Sequence, residues 1–140
     1  MSLPANTAVR LAEFLSGNPR AETGCLVTVE GEIIPMINVS TRPWTEFLAS
    51  PDDIGRMADL LLENRLYGWA HSHIGCPARP SIYDVRAHQF PVHMLIYSIS
   101  DQELGEFTAD EINMIALALT GTEHEFSLSH LNKGAGKWQK

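Results

Sequence analysis

Two histidines separated by one residue close an apolar run, Tyr67-Gly68-Trp69-Ala70-His71-Ser72-His73. That spacing restricts the backbone more than any other feature of the chain. Side chains two apart share one face of a β-strand, whereas on a helix they diverge. The two imidazoles therefore converge only if Tyr67–His73 is a strand, and the apolar character of the run calls for a buried one. A loop with Gly75, Pro77 and Pro80 as breakers follows, and Ser81 then opens a short helix. Asp84 falls in the first turn of that helix, where backbone N–H groups favour a carboxylate and aim it back at the strand end. Two histidines and one carboxylate form the donor set of a catalytic zinc, with the fourth tetrahedral place left to water. A chance His-x-His would occur roughly one time in four in a chain with six histidines, so the pair alone is weak. With a hydroxyl residue between them, Ser81 at its offset and Asp84 three further on, the chance drops to about one in ten thousand.

The rest of the chain supplies a frame for this set. Thr7–Phe14 reads as a helix stopped by Gly17, Asn18 and Pro19. Cys25–Val29 and Ile33–Val39 read as strands joined at Glu30-Gly31-Glu32, and Trp44–Leu48 as a third strand. Ser50-Pro51-Asp52-Asp53 is a helix start in which Ser50 caps and Asp53 returns the bond as in a capping box. Ile54, Met57, Ala58, Leu61 and Leu62 then form a core-facing stripe. Val92–Ile99 and Leu104–Phe107 read as strands, Ala109–Leu119 as an amphipathic helix, and Glu123–Leu128 as a last strand. Helices interleaved with strands predict a layered α/β (α+β) fold with a sheet flanked by helices. At 140 residues the chain suits one domain, expected over 1–130, with a flexible C-terminal tail over 131–140.

Composition narrows the function. A net charge of -7 argues against a phosphate-backbone partner, so no nucleic acid is expected. No apolar run approaches the roughly 20 residues that cross a bilayer, and the N-terminal residues lack a secretory pattern, so neither a membrane partner nor export is expected. Two cysteines, Cys25 and Cys76, suggest a reducing cytoplasm rather than a disulfide framework. Other chemistries fail on their motifs. His124-Glu125 begins an H-E-x-x-H pattern, but Leu128 stands where the second histidine is needed. The deaminase pattern, a Walker loop and G-x-G-x-x-G are absent. Cys25 reads as core and Cys76 as a loop thiol rather than a nucleophile or ligand. His88, His93, His124 and His130 carry no pattern and read as surface or satisfied residues. A zinc-bound water needs a carboxylate to carry its proton. Glu22, just ahead of the first strand, is one candidate among the glutamates.

Glu22, followed by His71-Ser72-His73, seven residues, Ser81, two residues and Asp84, resembles the signature of the JAMM (JAB/MPN/Mov34) zinc metalloproteases. Glu22-Thr23-Gly24-Cys25-Leu26, Ile37-Asn38-Val39 and Phe47 with Ser50-Pro51-Asp52 are similar to further segments of that family, so the resemblance spans roughly Glu22 to Ile99. It implies a mixed sheet flanked by helices, similar to the cytidine-deaminase fold. It implies one Zn²⁺ per chain held by His71, His73 and Asp84, with Glu22 as general acid/base and Ser81 as an oxyanion-stabilising hydrogen bonder. The implied activity is hydrolysis of a peptide or isopeptide bond in a protein or peptide substrate, such as the C-terminus of a ubiquitin-like or sulfur-carrier protein, and a homodimer is admitted. The minimal bacterial or phage type fits best, since the insertions that grip ubiquitin in eukaryotic members are missing. Bacterial members usually carry proline where Ile74 stands, and Cys76 is unusual there. The alternatives are a non-catalytic MPN-type scaffold and a phage tail-assembly component.

Overall fold

The computed structural model describes residues 2–126. Its elements are α1 (Thr7–Leu15), β1 (Gly24–Thr28), β2 (Ile33–Met36), α2 (Pro51–Leu62), β3 (Leu66–His73), α3 (Ile82–Ala87), β4 (His93–Ser98), β5 (Glu103–Phe107) and α4 (Ala109–Thr120). They build the expected mixed sheet, five strands in the order β2-β1-β3-β4-β5. β3 and β4 run parallel, and the other neighbours are antiparallel. The parallel pair needs a crossover, and α3 lies in it. β1 and β3 are buried along their whole length, which explains their apolar runs.

Each face of the sheet carries its own core. Leu26, Trp69, Met94 and Ile96 pack with Met57 and Leu60 of α2 and Ile112 of α4. On the opposite face Leu11 and Leu15 of α1 pack with Cys25, Val27, Tyr67, Ala70 and Leu95. A β-bulge divides β3 between these faces. Val27 is opposite Gly68, but Thr28 is opposite Leu66, so Tyr67 is the extra residue. Tyr67 turns towards α1, while Trp69, His71 and His73 share the other face. The Thr28–Glu32 hairpin turn needs Gly31, whose φ is 90°.

Several expectations are corrected. Trp44–Leu48 is not a strand. The Arg42 carbonyl accepts the Thr45 and Glu46 N–H groups (3.1 and 3.0 Å), closing a turn after Pro43. The Asn38 side chain then replaces a ladder, donating to the Glu46 carbonyl and accepting the Leu48 N–H. One bridge, Asn38 to Ala49, remains, so β2 ends at Met36 rather than Val39. Asp53 does not complete a capping box. Ser50 Oγ accepts the Asp53 N–H at 3.1 Å, but the Asp53 carboxylate is drawn to the Ile37 N–H at 2.8 Å, an orphan left where β2 ends. The expected strand over Glu123–Leu128 is absent across its described part, 123–126. Residues 127–128 and the tail expected over 131–140 lie outside the described residues. No helix among the described residues is long and apolar enough to cross a membrane.

Candidate metal centre

The C-terminal end of β3 and the start of β1 meet because the two strands are antiparallel, with His71 opposite Gly24. Ser72, pointing away from the two histidines, locks this junction. Its Oγ accepts the Thr23 N–H and its own N–H donates to the Thr23 carbonyl, both at 2.9 Å. This fixes the segment carrying Glu22 beside the histidine pair, a physical reason for a hydroxyl residue between them. Asn38 adds a second anchor by donating to the Glu22 carbonyl at 3.1 Å. Asp84 arrives on α3 through a reciprocal cap: Ser81 Oγ accepts the Asp84 N–H at 3.2 Å, and Asp84 Oδ2 accepts the Ser81 N–H at 2.9 Å.

Four buried side chains, Glu22, His71, His73 and Asp84, are thereby gathered so that one donor atom from each lies within 4.8 Å of the others. His73 Nδ1 donates to the Pro77 carbonyl at 2.8 Å. A carbonyl only accepts, so Nδ1 carries the proton and the Nε2 lone pair is free. That Nε2 lies 2.9 Å from Asp84 Oδ2, an arrangement that demands either a second proton or a cation. His71 Nε2 lies 2.9 Å from Asp84 Oδ1 but off the line of a hydrogen bond. Neither nitrogen of His71, nor Glu22 Oε1, has a hydrogen-bond partner among the described residues. Buried polar atoms without partners are costly, and Glu22 and His71 each bring one or more to this cluster. This group could hold a metal ion: the donor types, their burial and the orphaned atoms all fit.

The electrostatics follow from the crowding. Burial pushes the Glu22 carboxyl up to about 7, against the pull of His71 and His73. Burial also works against charge on Asp84, but the two histidines and the Ser81 N–H outweigh it and hold that carboxyl well below the usual range. On His73, burial is outweighed by Asp84 and the Pro77 carbonyl, and its pKa rises. Ser81 is half-buried and acts here as the cap that places Asp84.

The neighbours of the cluster were not legible in advance. Phe47 packs over β1, where a side chain at Gly24 would lie 2.3 Å from its ring. Trp69 stacks on His71, and its indole N–H donates to His88 Nδ1 at 2.8 Å. His88, read from sequence as surface or satisfied, is wholly buried. Burial, then the proximity of His124, lowers its pKa to about 4 from an ordinary 6.5. An unfolded chain would take up that proton first, so stability should fall as pH drops from about 6.5 to about 4, by about 3 kcal/mol in total. His88→Asn keeps an acceptor for Trp69 without a titrating base. Denaturant melts between pH 7 and 4 should show a shallower loss in this variant than in the wild type.

Cys76 is exposed, and its carbonyl rather than its thiol is engaged, accepting from Ser98 Oγ at 2.7 Å. It stands outside the four-residue group. Cys76→Ser should therefore leave metal stoichiometry unchanged, as metal analysis would show. An equal loss of metal would make the thiol a ligand and the site a closed one.

No protein-family model and no curated protein matches this sequence. Among solved structures, the solution structure of protein DSY2949 from Desulfitobacterium hafniense is similar, with a TM-score of 0.58 and 23% identity over 76% of this chain and 82% of that one. At that identity the likeness speaks for the fold alone: a small domain of the same architecture.

Proposed function

We propose that this chain is a zinc-dependent peptidase or isopeptidase of the JAMM type. The observation that carries this reading is the convergence of Glu22, His71, His73 and Asp84, buried and in part unpartnered, from the sequence positions that the signature requires. A bound zinc would supply a Lewis acid and bring the pKa of its water to roughly 7. His71, His73 and Asp84 would hold it. Glu22 takes a proton from the attacking water and delivers it to the departing amine nitrogen. The C–N bond breaks, water adds across it, and Glu22 ends ionised as it began. Ser81, beyond its capping bond, has a hydroxyl proton available for the carbonyl oxygen as it gains charge.

Exposed apolar side chains support a chain-like substrate. Ile37 and Trp44 are 67% and 59% exposed, and both flank the segment whose Pro43 carbonyl holds the Glu22 N–H. An extended peptide laid across this surface would reach the cluster. The substrate class that goes with this reading is the C-terminus of a ubiquitin-like or sulfur-carrier protein. The test is cleavage of fusions carrying ubiquitin-like C-termini, with and without a zinc chelator. Cleavage abolished by chelation and restored by Zn²⁺ is the expected result. Cleavage indifferent to chelation, or none from a fully zinc-loaded protein across a panel of such fusions, would overturn the assignment.

A further inference from the structure

We propose that Trp69 and His88 are positioning residues for His71, holding its ring by stacking where a hydrogen bond would normally do so. The inference rests on the reading of His71 as a metal ligand. A ligating imidazole usually donates its other N–H to a carboxylate or carbonyl, which sets the rotation of the ring. His73 does so through Pro77, but the Nδ1 of His71 is buried without such a partner among the described residues. Its rotation must be set otherwise.

The rings around it supply the constraint. The indole of Trp69 lies 4.8 Å from His71, only 15° from parallel, and Phe47 lies at 6.3 Å and 28°. The indole can act as a reference plane because its own orientation is pinned. Its N–H donates to His88 Nδ1 in a fully buried bond, which places the His88 ring at the edge of the indole, 6.2 Å away and 24° from parallel. The His88 carbonyl in turn accepts from His124. His88 thus fixes the plane of the indole from its edge, and the indole face in turn lies against His71 at the cluster. Trp69 and His71 stand two apart on the regular part of β3, beyond the bulge at Tyr67, and so share one face of the strand. If the Trp69–His88 bond is lost, the indole is free to tilt and the imidazole tilts with it. Metal sites tolerate little such error, about 10–20°.

Two variants test this by removing one partner each. His88→Phe keeps a ring but leaves the indole N–H without an acceptor. Trp69→Phe keeps a ring against His71 but has no N–H to anchor it. In competition with a chromophoric chelator, each should bind Zn²⁺ about 10–100-fold more weakly than the wild type, the usual effect of losing an orienting partner. The Co²⁺-loaded proteins should show altered ligand-field bands. His88→Asn, which preserves the acceptor, should restore affinity and spectrum. Melts of the metal-free proteins separate this from simple core damage: if either folded variant keeps wild-type Zn²⁺ affinity and Co²⁺ spectrum, the pair is only packing and the inference falls. A wild-type protein that binds neither metal would overturn the metal-site reading, and this inference with it.

Discussion

Glu22→Gln should bind zinc as the wild type does and turn over substrate roughly 10²–10⁴-fold more slowly, the usual contribution of a general acid/base. Glutamine keeps the size of the side chain and an oxygen at the same place, and the backbone anchors from Asn38 and Pro43 do not involve the carboxylate. What it removes is the proton acceptor. The Nε2 atoms of His71 and His73 cannot replace it, because they face Asp84 and the metal position, and His73 Nδ1 is held by the Pro77 carbonyl. The pH profile gives an independent reading. Without metal, burial puts the Glu22 carboxyl at about 7, and a cation beside it would favour the ionised form and move it down. Activity should therefore fall as pH drops through a pKa at or below about 7, because the protonated acid cannot accept from water. The residual activity of the variant should lose the contribution of Glu22 to that limb and keep only that of the zinc-bound water. A variant that loses zinc would make Glu22 a fourth ligand. One that cleaves at the wild-type rate would place the base elsewhere.

The parts of this site that could be read from the chain are those with local causes. A His-x-His pair on an apolar run, a serine that can cap three residues before an aspartate, and a glycine turn between two strands each depend on residues close in sequence. Glu22 lay at the limit: a carboxylate ahead of a strand says nothing by itself about which strand will pair with it. That pairing is set by Ser72 and Thr23, 49 residues apart. The misread elements have the same explanation. Asp53 abandons a local cap for the Ile37 N–H, 16 residues away, and Asn38 satisfies backbone groups that a strand at Trp44–Leu48 would have used in a ladder. The bulge at Tyr67 leaves the apolar pattern of β3 unchanged because both of its faces are buried, so no alternation marks it. His88 is isolated in sequence, and only packing shows that it holds Trp69.

Asp84→Asn should abolish metal binding while leaving the fold in place. The replacement is nearly isosteric, and its amide oxygen can still accept the Ser81 N–H, so the cap that starts α3 survives. The charge does not survive. In the wild type one carboxylate serves both imidazoles, Oδ1 facing His71 and Oδ2 facing His73, each at 2.9 Å. A neutral amide offers a cation one oxygen and turns an NH₂ group towards the other histidine. Metal analysis should fall from one zinc per chain to background, and added Zn²⁺ should no longer raise the melting temperature. For the wild type the corresponding gain is about 2.7 kcal/mol at a hundredfold excess of free metal over Kd. The metal-free proteins should differ as well, with a sign fixed by linkage. A carboxyl whose pKa is lowered in the folded state stabilises the fold above its ordinary pKa and loses that contribution as pH falls. Metal-free Asp84→Asn should therefore be less stable than the metal-free wild type at neutral pH, with the gap closing in acid. A variant that retained a full zinc complement would remove Asp84 from the ligand set and leave two histidines and Glu22 to hold the ion, with no carboxylate left over to move the proton.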